Sequence, residues 1–319
     1  MSTLRVSNGP HLLTKDTTQT LMLDVVIALA PTTAAGVYLF GLHAAWVLCA
    51  AVIAAVVSEY AWQKLMKKTV SVNDLSAVVT GLIVGLNMPA GAPLWMPVIG
   101  SVVAILLVKQ LFGGMGHNFM NPAMVARAFL LASWPARMTT FLLPQRLLGT
   151  SSAAVGVDMV SGATPLVPQG LGIDPGIPLG DLFLGNIPGS IGEVCKIAIL
   201  IGFVYLLVVK TISWHVPVFF IGTVAAFSWL IGRDPLVAVL SGGALFGAVF
   251  MATDYVTNPM QKIGQCIFGL GCGLMVVIIR NYGAYPEGVT YAILLMNCLT
   301  PLIDRFTKRT VYGTVKKHA

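Results

Sequence analysis

Two stretches decide the fold: Val78–Gly91, VVTGLIVGLNMPAG, and Val239–Asp254, VLSGGALFGAVFMATD. Each has a hydroxyl residue followed by a glycine, Thr80-Gly81 and Ser241-Gly242. A further glycine follows among apolar residues, and each ends in a polar break. A polar break inside an apolar run is tolerated in a bilayer only where it is buried in protein or lines a cavity. The same pattern met twice, in runs that cross in opposite directions, is the mark of an inverted repeat. Downstream of the first copy comes FGGMGHNFMNPAMVARAFLL (Phe112–Leu131), and downstream of the second comes RNYGAYPEGVTYAILLMN (Arg280–Asn297). Each leads from a glycine-containing turn into another apolar run.

The surrounding composition agrees. The chain has 319 residues, 56% of them hydrophobic and 10% charged, with a mean hydropathy of +0.85. Soluble domains carry about 25% charged residues, so this is a membrane composition. Apolar runs bounded by Pro, Gly or charge give ten expected spans. They are Leu21–Phe40, Ala44–Trp62, Val72–Met88, Leu94–Leu111 and Pro122–Trp134, then Ile191–Val209, Val216–Ile231, Leu236–Ala252, Ile263–Ile279 and Val289–Ile303. The expected fold is an all-α polytopic membrane protein with a 5+5 inverted repeat. Residues 1–20 form a cytoplasmic N-terminal segment, 21–135 the first five-helix repeat, 136–190 an outer loop, 191–303 the second repeat and 304–319 a basic cytoplasmic tail. The first 20 residues are polar and lack the apolar core of a signal peptide, so insertion is expected through the first span.

Basic residues set the orientation. With both termini inside, thirteen Lys and Arg fall on the inner side and four on the outer side. That excess supports cytoplasmic termini. The net charge of +7 follows from this asymmetry. It is not gathered into a patch that would bind nucleic acid. The five cysteines form no C-x-x-C and read as small apolar residues, without a disulfide or a metal–sulfur cluster held by this chain alone. His43, His117 and His215 lack metal-ligand spacing, so no metal is expected.

Polar residues within such a chain are the candidates for chemistry. Asn87 and Asp254 mark the two breaks; each reads equally as an ordinary helix end with a proline beyond it. In GGMGHNFMNP (Gly113–Pro122), Asn118 and Asn121 offer amides suited to a flavin edge or a quinone carbonyl. A tight turn with Asn capping the run at Pro122 is the plainer reading. Arg127 lies within the fifth run and is a functional candidate by position. Asp24, Glu193 and Lys196 are near enough to run ends to be solvated, and Glu193 and Lys196, three apart, can pair. FGLGCG (Phe268–Gly273) reads as close helix packing through Gly269 and Gly273, not as a phosphate loop.

The outer loop contains DMVSGATP (Asp158–Pro165). Small residues expose its backbone, and Pro165 holds Thr164 extended. Asp158, Ser161, Gly162, Ala163 and Thr164 match the D-x-x-(S/T)-G-A-T signal of a flavin transferase that attaches FMN to the threonine hydroxyl through a phosphoester. With FGGMGHNFMNPAMVARAFLL, VFMATDYVTNP and YPEGVTYAILLMNCLTPLIDR, nearly the whole chain resembles the NqrB/RnfD family of membrane redox subunits. The short segment before the first span favours the RnfD side over the NqrB side, the subunit type of the sodium-pumping NADH:quinone reductase.

That resemblance implies a flavoprotein subunit of a redox-driven ion translocase, a ferredoxin:NAD oxidoreductase relaying electrons and coupled to Na⁺ or H⁺ transport. It implies covalent FMN at Thr164 and, in some members, a second, non-covalent flavin, riboflavin. Asn118, Asn121 and Arg127 are the residues assigned to such a second pocket. It implies partners RnfA, RnfB, RnfC, RnfE and RnfG, the flavin transferase during maturation, and residence in a bacterial or archaeal cytoplasmic membrane with Thr164 outside. Ten spans and midplane breaks also fit a channel or secondary transporter, which would carry no covalent flavin.

Overall fold

The computed structural model describes residues 17–144, 161–162, 166, 178–283 and 287–308. It is mostly helical. Helix α1 (Thr18–Phe40) starts at Thr17, whose hydroxyl accepts from the Thr20 amide while Thr20 returns a bond to the Thr17 backbone. Gly41 at φ 79° turns the chain directly into α2 (Leu42–Leu65). A short 3₁₀ turn (Val72–Asp74) leads to α3 (Ser76–Leu86). Helix α4 (Trp95–Gln110) is α-helical to Val102 and π-helical beyond it. Next come α5 (Pro122–Ser133) and the single turn α6 (Pro135–Thr139).

Two short strands follow, β1 (Phe141–Leu142) and β2 (Ser161–Gly162). They pair antiparallel, with Phe141 opposite Gly162 and Leu142 opposite Ser161. The second half holds α7 (Leu179–Leu184), α8 (Lys196–Val208), α9 (His215–Leu230) and α10 (Pro235–Leu240). Helix α11 (Ala244–Met251) turns π-helical from Gly247, and the chain closes with α12 (Lys262–Tyr282) and α13 (Val289–Thr307).

Among the described residues, four helices, α1, α2, α12 and α13, are long and apolar enough to cross a membrane. Five shorter apolar helices, α3, α4, α5, α8 and α9, complete the set. Each of the ten expected runs has a helical counterpart. The eighth, expected as one helix over Leu236–Ala252, is instead two pieces, α10 and α11, divided at Ser241–Gly243. Asp234 caps α10, and its carboxylate accepts the Leu236 amide at 2.8 Å. Apolar residues point outward as well as inward. Leu42, Trp46, Ile53 and Val57 on α2 are exposed, while Val47, Leu48 and Ala51 are buried. A helix apolar all round suits a lipid-facing position.

The two halves interlock: α1 packs on α8, and α5 packs on α13. Within the second half α12 lies close along α9. A Cβ placed on Gly273 would stand 2.6 Å from Thr223 Cβ and 2.7 Å from the Phe220 carbonyl; on Gly269 it would stand 2.8 Å from the Val216 carbonyl. Close packing is therefore what these glycines do, as their spacing suggests.

The breaks are satisfied internally, as a bilayer demands. Beyond α3 the Met88 carbonyl accepts from the Ile191 amide at 3.1 Å, and the Leu86 carbonyl from the Gly192 amide at 2.7 Å. At the division of the eighth run, Ser241–Gly243, Lys196 Nζ donates to the Gly242 carbonyl at 3.1 Å. Arg280 donates to the carbonyls of Ala238 at 2.5 Å and Ser241 at 3.2 Å. Thus the Asn87 break is joined to residues just before α8, and the Ser241–Gly243 division to Lys196 in α8 and Arg280 in α12.

Candidate functional sites

Two polar centres lie inside the helical body. The first is a small cleft with a cavity volume of about 90 Å³. Asn118, Asn121 and Asp254 line it, with Lys109 and Ser76 at one side and Phe250 among its apolar walls. Asn121 caps α5: its carbonyl accepts from the amides of Ala123 at 3.0 Å and Met124 at 3.4 Å, and its amide donates to the Met251 carbonyl at 3.1 Å. The capping reading is therefore realised, and the same residue clasps α5 to the end of α11. Asn118 donates to the Met120 carbonyl at 3.1 Å.

Asp254 accepts from the Thr257 hydroxyl at 3.2 Å, and burial pushes its carboxyl above the ordinary carboxylate range. Lys109 is buried in the π-helical end of α4. It donates to Glu59 at 2.9 Å and to the Ser76 hydroxyl at 2.5 Å, while Gln110 donates to the other Glu59 oxygen at 2.8 Å. The π turn lets the neighbours Lys109 and Gln110 reach one carboxylate.

The second centre gathers around Arg127. Its guanidinium donates to the side chains of Asn87 and Glu287, and it stands 3.9 Å from Glu193. Glu193 accepts the Ser190 amide at 2.9 Å. Lys196, fully buried, donates to the Glu193 backbone carbonyl as well as to Gly242. Burial, with Glu193 adjoining, pushes the Glu287 carboxyl up to about 8. A Cβ on Gly243 would stand 3.0 Å from Glu193 Oε2, a tight contact.

The sequence candidates therefore separate. Asn118, Asn121 and Asp254 share the cleft. Asn87 and Arg127 share the second centre, so Arg127 does not stand with the two asparagines. One expectation is corrected. Glu193 and Lys196 are 2% and 0% exposed, neither solvated nor reaching for an interface. They lie under the broken segment Ser241–Gly243, whose carbonyls need donors. Asp24 is half-buried and accepts from Tyr205 at 3.1 Å and Thr211 at 3.5 Å. Glu59, Lys109 and Glu287 were not among the expected site residues, although a signal was present. The chain has three glutamates in all, Glu59, Glu193 and Glu287, and each is held near a basic side chain inside the body.

In the loop motif, Asp158, Ala163 and Thr164 lie outside the described residues. Ser161 and Gly162 form β2 against β1, and Leu166 is buried with its side chain over Gly242 and near Arg280.

A family model for NQR2, RnfD and RnfE matches residues 5–313. The chain belongs to this family. Within it, similarity is high to the D subunit of the Na(+)-translocating ferredoxin:NAD(+) oxidoreductase complex of Acetobacterium woodii, 48% identical over 317 residues and covering 98% of this chain and 96% of that one. The D subunit of the proton-translocating ferredoxin:NAD(+) oxidoreductase complex of Clostridium ljungdahlii is 41% identical over 326 residues, covering 97% and 96%. The D subunit of the ion-translocating oxidoreductase complex of Cronobacter sakazakii is 36% identical over 345 residues, covering 97% and 99%. The matched residues include the Phe112–Leu131 and Val249–Pro259 stretches that carry the resemblance.

Proposed function

We propose that this chain is the membrane-embedded D subunit of an ion-translocating ferredoxin:NAD oxidoreductase complex, carrying FMN through a phosphoester to Thr164. The observation that carries the covalent flavin is the heptad Asp158-Met-Val-Ser-Gly-Ala-Thr164 in a chain of this family. Its placement in a loop on the outer side, from the basic-residue asymmetry, is where a transferase outside the membrane would work. Ten spans in two inverted sets of five, with cytoplasmic termini, form the scaffold. The opposite placement of the two breaks in the helical body supports that arrangement. Asn87 ends α3 beside Arg127 and Glu193, whereas Asp254 follows α11 in the cleft lined by Ser76 at the start of α3.

Flavin bound to Thr164 would supply one- and two-electron chemistry. The chain's own contribution is position. Strand β2 is pinned to β1, and Leu166 is buried on Gly242, so described residues on both sides of Thr164 are fixed to the helical body. The cleft at Asn118 and Asn121 would meet a non-covalent flavin with its Phe250 and Ile83 walls and its amide rim. One Nδ2 hydrogen on each asparagine is taken by backbone, and each amide retains a second for a ligand. Relatives of near-complete coverage are named for Na⁺ and for protons, so a D subunit of this kind serves complexes of either ion. Its partners are the remaining Rnf subunits.

Thr164→Val removes the hydroxyl while keeping the side-chain shape. Denatured protein from the wild-type complex should fluoresce as a flavin band in a gel, and the variant should not. Fluorescence of equal intensity in the variant overturns the attachment site.

A further inference from the structure

Glu193 and Glu287 converge beneath Arg127 from different parts of the chain. Their four oxygens can be counted. Glu193 Oε1 accepts the Ser190 amide, and Glu287 Oε2 accepts from Arg127. The remaining two, Glu193 Oε2 and Glu287 Oε1, are buried and have no hydrogen-bond donor among the described residues. The two carboxyls are gathered at one guanidinium nitrogen: Arg127 Nη2 donates to Glu287 Oε2 and stands 3.9 Å from Glu193 Oε2. Ionised carboxylates only accept, so neither leftover oxygen can satisfy the other without a hydrogen between them.

The neighbouring cations do not supply it. Arg127 Nη2 stands 3.9 Å from Glu193 Oε2, beyond a hydrogen bond. Lys196 on α8 aims its ammonium at the Glu193 and Gly242 carbonyls. Arg280 on α12 aims its terminal nitrogens at the carbonyls of Ala238 and Ser241.

We infer that Glu193 and Glu287 form a buried acid pair that binds one proton between Glu193 Oε2 and Glu287 Oε1. The proton comes from water and bonds to one oxygen, and the other oxygen accepts the hydrogen bond, so one negative charge remains opposite Arg127. Paired carboxylates that cannot both ionise share a proton in this way. The upward displacement of the Glu287 carboxyl by burial and by Glu193 agrees with it. A metal ion fits less well. It would sit among Arg127, Lys196 and Arg280 and would need more oxygen ligands than the two left over, whereas a proton needs only those two.

The test is infrared pH-difference spectroscopy on the assembled complex. A protonated-carboxyl C=O band should be present at neutral pH, move to lower frequency in D₂O, and vanish on alkaline titration. It should be missing from both Glu193→Gln and Glu287→Gln, because either amide donates an N–H in the proton's place. A wild-type complex without the band at neutral pH overturns the inference. So does a band retained in both variants, or one that emerges only after Na⁺ is withdrawn, which would assign the site to the metal ion. Should the variants not assemble, dicyclohexylcarbodiimide labelling of the wild-type complex decides. Reaction at Glu193 or Glu287 upholds the pair, and peptides unmodified at both positions refute it.

Discussion

Arg127 holds one end of Asn87 and one end of Glu287 and faces Glu193, all within the protein body. Removing one partner of a buried ion pair leaves the other uncompensated, at a cost of about 3–5 kcal/mol. Arg127→Met should therefore lower the thermal stability of the solubilised complex by about that amount, read from its unfolding midpoint. A midpoint unchanged from wild type contradicts the role. The pH dependence follows from Glu287. Burial keeps its proton on in the folded chain to about pH 8, whereas an ordinary glutamate releases it near 4.5. Between those values the folded state binds the additional proton, so this group's stabilising contribution falls as pH rises and is gone above about 8. Melting temperatures from pH 5 to 9 should show that decline, and Glu287→Gln should flatten it. Arg127 was legible in the sequence because a charge in the middle of an apolar run has few innocent explanations. Glu193 and Lys196 were not. Their distance along the chain from a run end suggested solvation, but burial depends on the segment 241–243 folding over them.

At the scale of elements, α9 and α12 meet through glycine. A methyl on Gly273 would collide with Thr223 and with the Phe220 carbonyl, and backbone cannot yield as a side chain can. Gly273→Ala should destabilise the protein by about 1–3 kcal/mol, in line with overpacking elsewhere. Gly222→Ala, on α9 with nothing within 4 Å of the added carbon, is the matched control and should be close to neutral in the same unfolding measurement. The cap at Asn121 was readable too, since Asn before Pro is a helix start by local chemistry alone. Its second bond, to the Met251 carbonyl, was not, because it depends on where α11 ends in space. The eighth run illustrates the same limit. Its apolar residues read as one helix, while Ser241-Gly242-Gly243 divides it and leaves carbonyls that Lys196 and Arg280 satisfy. Hydropathy registers the apolar character of both halves and is blind to donors brought from elsewhere in the chain.

For the whole molecule, helices and breaks form a body whose two halves are clasped through α1 with α8 and α5 with α13. The proposed topology sets the termini on one side and the 136–190 loop on the other. In a chain whose five cysteines are replaced, a cysteine introduced at Arg146 should react with a membrane-impermeant maleimide in intact cells. One introduced at Lys316 should react only after permeabilisation; the reverse pattern refutes the orientation. Helix-forming runs and the loop motif were both visible in composition and order. The joining of the two polar centres to opposite ends of the broken helices was not, because it arises from contacts between segments far apart in sequence. The reading that unites these scales is a helical membrane body bearing a flavin on its outer loop. Mass spectrometry of the protein from native complex, with fragmentation of the peptide containing Asp158–Pro165, tests it most directly. A phosphoester-linked FMN adduct should map to Thr164. An unmodified peptide, or an adduct on any other residue, contradicts it.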